Sequence, residues 1–206
     1  MKKLLAILFS VLMLCALMSF TTVAAADEPT IVLSIVDELE EVNAGDEFQV
    51  EVNLENLDGT AGLIGALVEI GYDHDVFELV TYFDEDEEMW MPSIEVGSKY
   101  NATSNKYITF GPIDEETGAS KNCLVNYVRG TATANQVRKE AHFYTATFRV
   151  KEDAVSGTYD LYVNPDSYNP KNFALYGGGY TEMAIANTSI KVNGSEPTPP
   201  ECEHEY

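Results

Sequence analysis

Gly62-Leu63-Ile64-Gly65-Ala66-Leu67-Val68-Glu69-Ile70-Gly71-Tyr72-Asp73 is the stretch on which the fold turns. Ile64, Ala66, Val68, Ile70 and Tyr72 fall on one side of a period-two pattern, and Gly65, Leu67, Glu69 and Gly71 fall on the other. Successive side chains of a β-strand point to opposite faces, so this period specifies a strand with an apolar inner side. Upstream, Asn43-Ala44-Gly45-Asp46 makes a turn into a second such stretch, in which Phe48, Val50, Val52 and Leu54 alternate with Gln49, Glu51 and Asn53.

The same pattern, punctuated by Gly, Asn, Asp and Pro, predicts further strands at 31–36, 76–82, 106–110, 122–128, 143–150, 157–163 and 188–192. Nine strands with turn signals between them predict an all-β sandwich. Helical periodicity is confined to one turn, at 134–141, and no repeat of fixed period is present.

The two ends of the chain read differently. Lys2 and Lys3 precede an apolar run that closes on Ala24-Ala25-Ala26, which predicts a secretory signal peptide over 1–26 and an extracellular protein, secreted or attached to the cell surface. The run is shorter than the roughly 20 residues a membrane-spanning helix needs. The sandwich is predicted over 29–193. Gly194-Ser195-Glu196-Pro197-Thr198-Pro199-Pro200 then forms a proline-rich linker within 194–206.

Cleavage would remove two of the 12 basic residues and none of the 34 acidic ones, leaving a net charge of −24. A surface that acidic repels a phosphate backbone and an anionic membrane alike, so nucleic acid is excluded as a partner, an anionic membrane surface is disfavoured, and no membrane insertion is expected after cleavage. Cys123, inside the run Cys123-Leu124-Val125, reads as a small buried hydrophobe, and no disulfide framework is legible.

Neither a G-x-S-x-G nor an H-E-x-x-H motif is present, and the many carboxylates form no pair that sequence can place in a cleft. The chain is therefore read as non-catalytic, and no cofactor is implied. Asp84-Glu85-Asp86-Glu87-Glu88 is a candidate structural calcium site, but it lacks the glycine of an EF-hand loop and reads more simply as a solvated loop. Asp73, Asp75 and Glu78 read as the cap of a turn. Two groups of rings, Tyr82, Phe83, Trp90 and Tyr100, and Tyr168, Phe173, Tyr176 and Tyr180, allow an alternative reading as a carbohydrate-binding module. A planar row of exposed rings would favour sugar, whereas a flat mixed face would favour a protein.

Four segments resemble the cohesin family, the modules by which cellulosome scaffolds capture dockerin-bearing enzymes. They are Gly45-Asp46 with the strand from Phe48 to Val52, the stretch quoted first with Val76-Phe77-Glu78-Leu79-Val80, Phe143-Tyr144-Thr145-Ala146-Thr147-Phe148-Arg149-Val150-Lys151 with Gly157-Thr158-Tyr159, and Asn187-Thr188-Ser189-Ile190-Lys191-Val192. They occur in the family's order. His74 stands where the family usually has proline. The resemblance implies a nine-stranded jelly-roll β-sandwich related to cellulose-binding modules, acting as a monomer that holds a dockerin-containing protein in a polysaccharide-degrading assembly.

It also implies docking on one sheet face that includes the third, fifth, sixth and eighth strands. Leu67 and Glu69 of the third strand and Leu124 and Asn126 of the sixth are then the candidate contacts. With 143–150 taken as the eighth strand, Thr145 and Thr147 join them. The Asn and Asp that many cohesins carry on the third strand align with Gly65 and Leu67, so no known dockerin specificity transfers. Cys202-Glu203-His204-Glu205-Tyr206 resembles the start of a truncated C-x-H-x-Y module of Firmicutes surface proteins, and its one Cys and one His are too few for a zinc site.

Overall fold

A computed structural model describes residues 28–101, 106–120, 122–129 and 141–196. The predicted signal peptide, the helical turn before Ala141 and the tail beyond 196 lie outside the described residues. Strands at all nine predicted positions build the sandwich. They are β1 (Thr30–Ile35), β3 (Glu47–Glu55), β4 (Gly65–Gly71), β5 (Phe77–Leu79), β9 (Lys106–Phe110), β10 (Cys123–Arg129), β11 (Ala141–Val150), β12 (Gly157–Val163) and β14 (Thr188–Asn193). Shorter strands join them: β2 (Glu41–Asn43), β6 (Thr81–Asp84), β7 (Met89–Pro92), β8 (Ile94–Val96) and β13 (Ala184–Ala186). Among the described residues helix is limited to one four-residue turn, Ser98–Asn101, and three 3-10 turns.

One sheet runs β13-β1-β3-β11-β5, with β8 also on β11, and the other runs β2-β14-β12-β4-β10-β9. Pairing is antiparallel except at β1 with β13 and β14 with β2. The strand expected at 76–82 divides at Val80. β5 stays on β11, while β6 leaves to pair with β7 as a separate hairpin. The alternation in the opening stretch is realised from Ala66 on, where Ala66, Val68, Ile70 and Tyr72 are buried, whereas at its start Leu63 is buried and Ile64, expected on the inner side, is only partly so. The buried side chains pack with Phe48, Val50, Val52, Leu54 and Phe148 of the facing sheet in one core. A bulge between His142 and Tyr144 turns both Phe143 and Tyr144 inward.

Aromatic rings close the two ends of the core. Phe48 lies 5.3 Å from Phe77 and 5.9 Å from Phe148, and Tyr72 lies 4.9 Å from Phe148. At the other end Tyr100 meets Phe143 at 4.8 Å and Tyr127 at 5.0 Å. The Tyr144 hydroxyl crosses the interior and donates to the Val68 carbonyl at 3.3 Å, linking the sheets. Cys123 is a free thiol in this core, wholly buried. Among the described residues no helix is long and apolar enough to cross a membrane.

Candidate partner-binding face

The pairing of β4 with β10 and β10 with β9 fixes which side chains share the outer surface of the second sheet. Leu67 stands opposite Asn126, which stands opposite Thr109; Glu69 stands opposite Leu124; Val128 stands opposite Tyr107. Leu67, Leu124 and Asn126 are partly exposed, Val128 is 46% exposed and Tyr107 is 71% exposed. Glu69 is 7% exposed, and its Oε1 accepts from the Asn122 amide at 2.7 Å. Gly65, at the start of the strand, is buried because the loop at Ala174 pairs with it: Ala174 N–H donates to the Gly65 carbonyl at 3.1 Å.

On the other side of β4 runs β12, with Tyr162 opposite Gly71. The Tyr162 ring lies across Gly71 so closely that a Cβ there would stand 2.4 Å from its Cε2. Tyr162 remains 36% exposed, beside Asp160 and Thr158, which are also exposed. The face is thus a mixture of apolar and hydrogen-bonding groups spread over four strands.

Thr145 and Thr147 are not part of it. Both belong to β11, which lies in the opposite sheet between β3 and β5. There Thr145 Oγ1 is 2.8 Å from His142 Nε2, and Thr147 Oγ1 accepts from Ser93 Oγ at 3.2 Å. The expectation that they share a face with Leu67 and Leu124 fails on strand order. Counted along the chain, 157–163 is the eighth predicted strand and 143–150 the seventh. That count was available in the sequence and would have pointed to Thr158, Asp160 and Tyr162.

Neither acidic cluster gathers as ligands. Asp84 Oδ1 accepts from the backbone of Asp86 and Glu87 at 3.0 and 3.2 Å, and Asp73 Oδ1 accepts from Asp75 N–H at 2.9 Å, so both cap turns. Among the described residues no three His, Cys, Asp or Glu side chains come together as a metal site. The ring groups are divided as well. Tyr100 and Phe173 are buried, Tyr82, Phe83, Tyr176 and Tyr180 are exposed, and Phe83 meets Trp90 edge to face at 76°.

Two packed sheets in jelly-roll order, with an open mixed surface on one of them, define an all-β sandwich module. A scan against protein families matches the cohesin domain over residues 32–192, and the chain belongs to that family. A search of curated proteins found no match.

Solved structures share the fold. A type I cohesin from Clostridium thermocellum, solved as a cohesin–dockerin complex, is 14% identical with a TM-score of 0.55, over 81% of this chain and 100% of that one. The seventh ScaB type I cohesin of Pseudobacteroides cellulosolvens is 19% identical with a TM-score of 0.52, over 87% and 98%. A type II cohesin of Acetivibrio cellulolyticus is 14% identical with a TM-score of 0.53, over 80% and 95%.

Proposed function

We propose that this domain is a non-catalytic, extracellular binding module that holds a dockerin-bearing protein on the outer face of β12-β4-β10-β9, as a monomer within a polysaccharide-degrading assembly. One observation carries the reading: Tyr107, Val128 and Tyr162 stand exposed on a single sheet face, interspersed with Asn126, Thr109 and Asp160. Removing such a side chain from water contributes roughly 1.5–3 kcal/mol, and the amide and hydroxyl groups between them give the partner its register. Export by a cleaved signal peptide over 1–26 and extension through a linker after 193 complete the proposal. The divided, non-coplanar rings are why a protein and not a sugar is taken as the ligand.

The test is a panel of dockerins titrated against the full chain, with and without a calcium chelator. At least one is expected to bind. Leu67→Asp is expected to abolish that binding while leaving the thermal midpoint within a few degrees. Thr147→Asp, on the opposite sheet, is expected to leave affinity unchanged. If no dockerin binds, the reading is wrong; if Thr147→Asp is the damaging variant, the face is wrong.

A further inference from the structure

The β6–β7 hairpin belongs to neither large sheet. Between it, the end of β9 and the loop 111–120 runs a cleft of about 620 Å³. Its walls are mixed, with the apolar side chains Phe83, Met89, Trp90 and Met91 from the hairpin and Phe110 and Ile113 from β9 and the loop set among polar groups. Glu88 and Glu115 stand in its lining, and Glu85, Asp86, Glu87 and Glu116 are exposed next to them in the chain.

The walls are held in place before any ligand arrives. Thr81 Oγ1 donates to the Gly118 carbonyl at 2.6 Å, fastening the hairpin to the loop. The loop is itself closed by Asp114 Oδ1, which accepts from Glu116 N–H at 3.0 Å and Thr117 N–H at 2.8 Å. Gly118, at φ +70°, lets the Trp90 ring lie directly on the backbone, where a Cβ would stand 2.6 Å from Cδ2. Phe83 and Met89 nevertheless stay about half exposed.

We propose that this cleft seats a lysine- or arginine-bearing apolar segment of the same partner that docks on the β12-β4-β10-β9 face, an inference that rests on the docking reading above. The carboxylates at the mouth attract a cation, and the tryptophan face adds a cation–π contact. Met89 and Met91 suit an apolar side chain of irregular shape. The edge-to-face rings offer no parallel platform for a pyranose.

The cleft is also continuous with the docking face, because Thr109 belongs to both. β12, β4 and β10 have seven residues each and β9 five, so four strands about 4.8 Å apart at about 3.3 Å per residue present at most roughly 20 by 23 Å, whereas a standard interface takes about 800 Å² from each partner. Ground beside the sheet must contribute, and the cleft adjoins its β9 edge.

Trp90 is the chain's only tryptophan, so its emission reports on the cleft alone. Titrating the full chain with a synthetic peptide of alternating lysine and leucine is expected to give a saturable blue shift. Glu88→Gln with Glu115→Gln is expected to weaken it about tenfold, whereas Glu51→Gln with Glu55→Gln, which removes the same charge from the opposite sheet, weakens it less than about twofold. No shift, equal weakening by both pairs, or a response to cellohexaose instead of the peptide overturns the proposal.

For a dockerin that binds, the Glu88 and Glu115 pair of substitutions is expected to cost affinity several-fold. Unchanged affinity, with Leu67→Asp still abolishing binding, overturns the cleft and leaves the docking face standing. A chain that captures no dockerin yet passes the peptide titration overturns the docking reading and not the cleft.

Discussion

Leu67 lies at the centre of the second sheet's outer surface, flanked on β10 by Asn126, and so an aspartate there would set a charge in the middle of any interface. Its loss of binding would come from a buried, unpaired carboxylate, which is why the effect is expected to be abolition and not attenuation. A different set of residues governs the response to alkali. Burial pushes the Cys123 thiol and the Tyr72 and Tyr144 hydroxyls well above their ordinary values, and the nearby Glu69 charge adds to this in each case.

Each group is therefore held neutral in the fold while the unfolded chain begins to lose protons, from about pH 8.5 for Cys and about pH 10 for Tyr. Their contribution is whole below those values and is lost as pH rises towards the folded ones, by up to about 1.4 kcal/mol per pH unit for each group. The urea midpoint is expected to be flat from pH 7 to about 8.5 and to fall with increasing slope by pH 11. A midpoint that rises over that range would contradict the burial of these groups.

Among the elements, the long strands were legible because each carries several turns of a period-two pattern, as Phe48 to Leu54 and Ala66 to Tyr72 do. β2, β8 and β13 have three residues apiece, too few for alternation to declare itself. The break at Val80 left no local signal, because it is set by distant partners: Val80 N–H donates to Thr147 and Ser93 N–H donates to Val80. Thr145 and Thr147 are a different case. Alternation correctly gives which of their neighbours point inward, and their sheet follows from counting strands along the chain, in which 143–150 is the seventh and 157–163 the eighth.

The hairpin offers a test at this scale. Gly118→Ala would force a side chain into a left-handed position and against the Trp90 ring. It is expected to cost about 1–2 kcal/mol and to red-shift Trp90 emission as the hairpin lifts off the loop. Unchanged emission would mean that the ring does not rest there.

For the molecule as a whole, the excess of acid dominates. The sequence carries 34 acidic residues against 12 basic ones, and the described residues form three ion pairs: Arg149 with Glu47, Arg149 with Glu78, and Lys191 with Glu41. All are at the surface and contribute little individually. Most carboxylates therefore repel one another across the surface. Raising salt shortens the Debye length from about 30 Å at 0.01 M to about 3 Å at 1 M, so the thermal midpoint is expected to rise by a few degrees. A fall would mean that the three ion pairs outweigh the general repulsion.

The two parallel pairings have a consequence in time. β13 seals β1, and β14 inserts between β2 and β12, so strands made last complete both sheets at positions next to strands made first. The first sheet cannot finish until Ala186, the end of β13, has left the ribosome, nor the second until Asn193, the end of β14, and contacts this distant in sequence form slowly. On the export reading proposed above, a chain threaded through a narrow pore would benefit from that delay, because the sandwich cannot close while β13 and β14 are still being made.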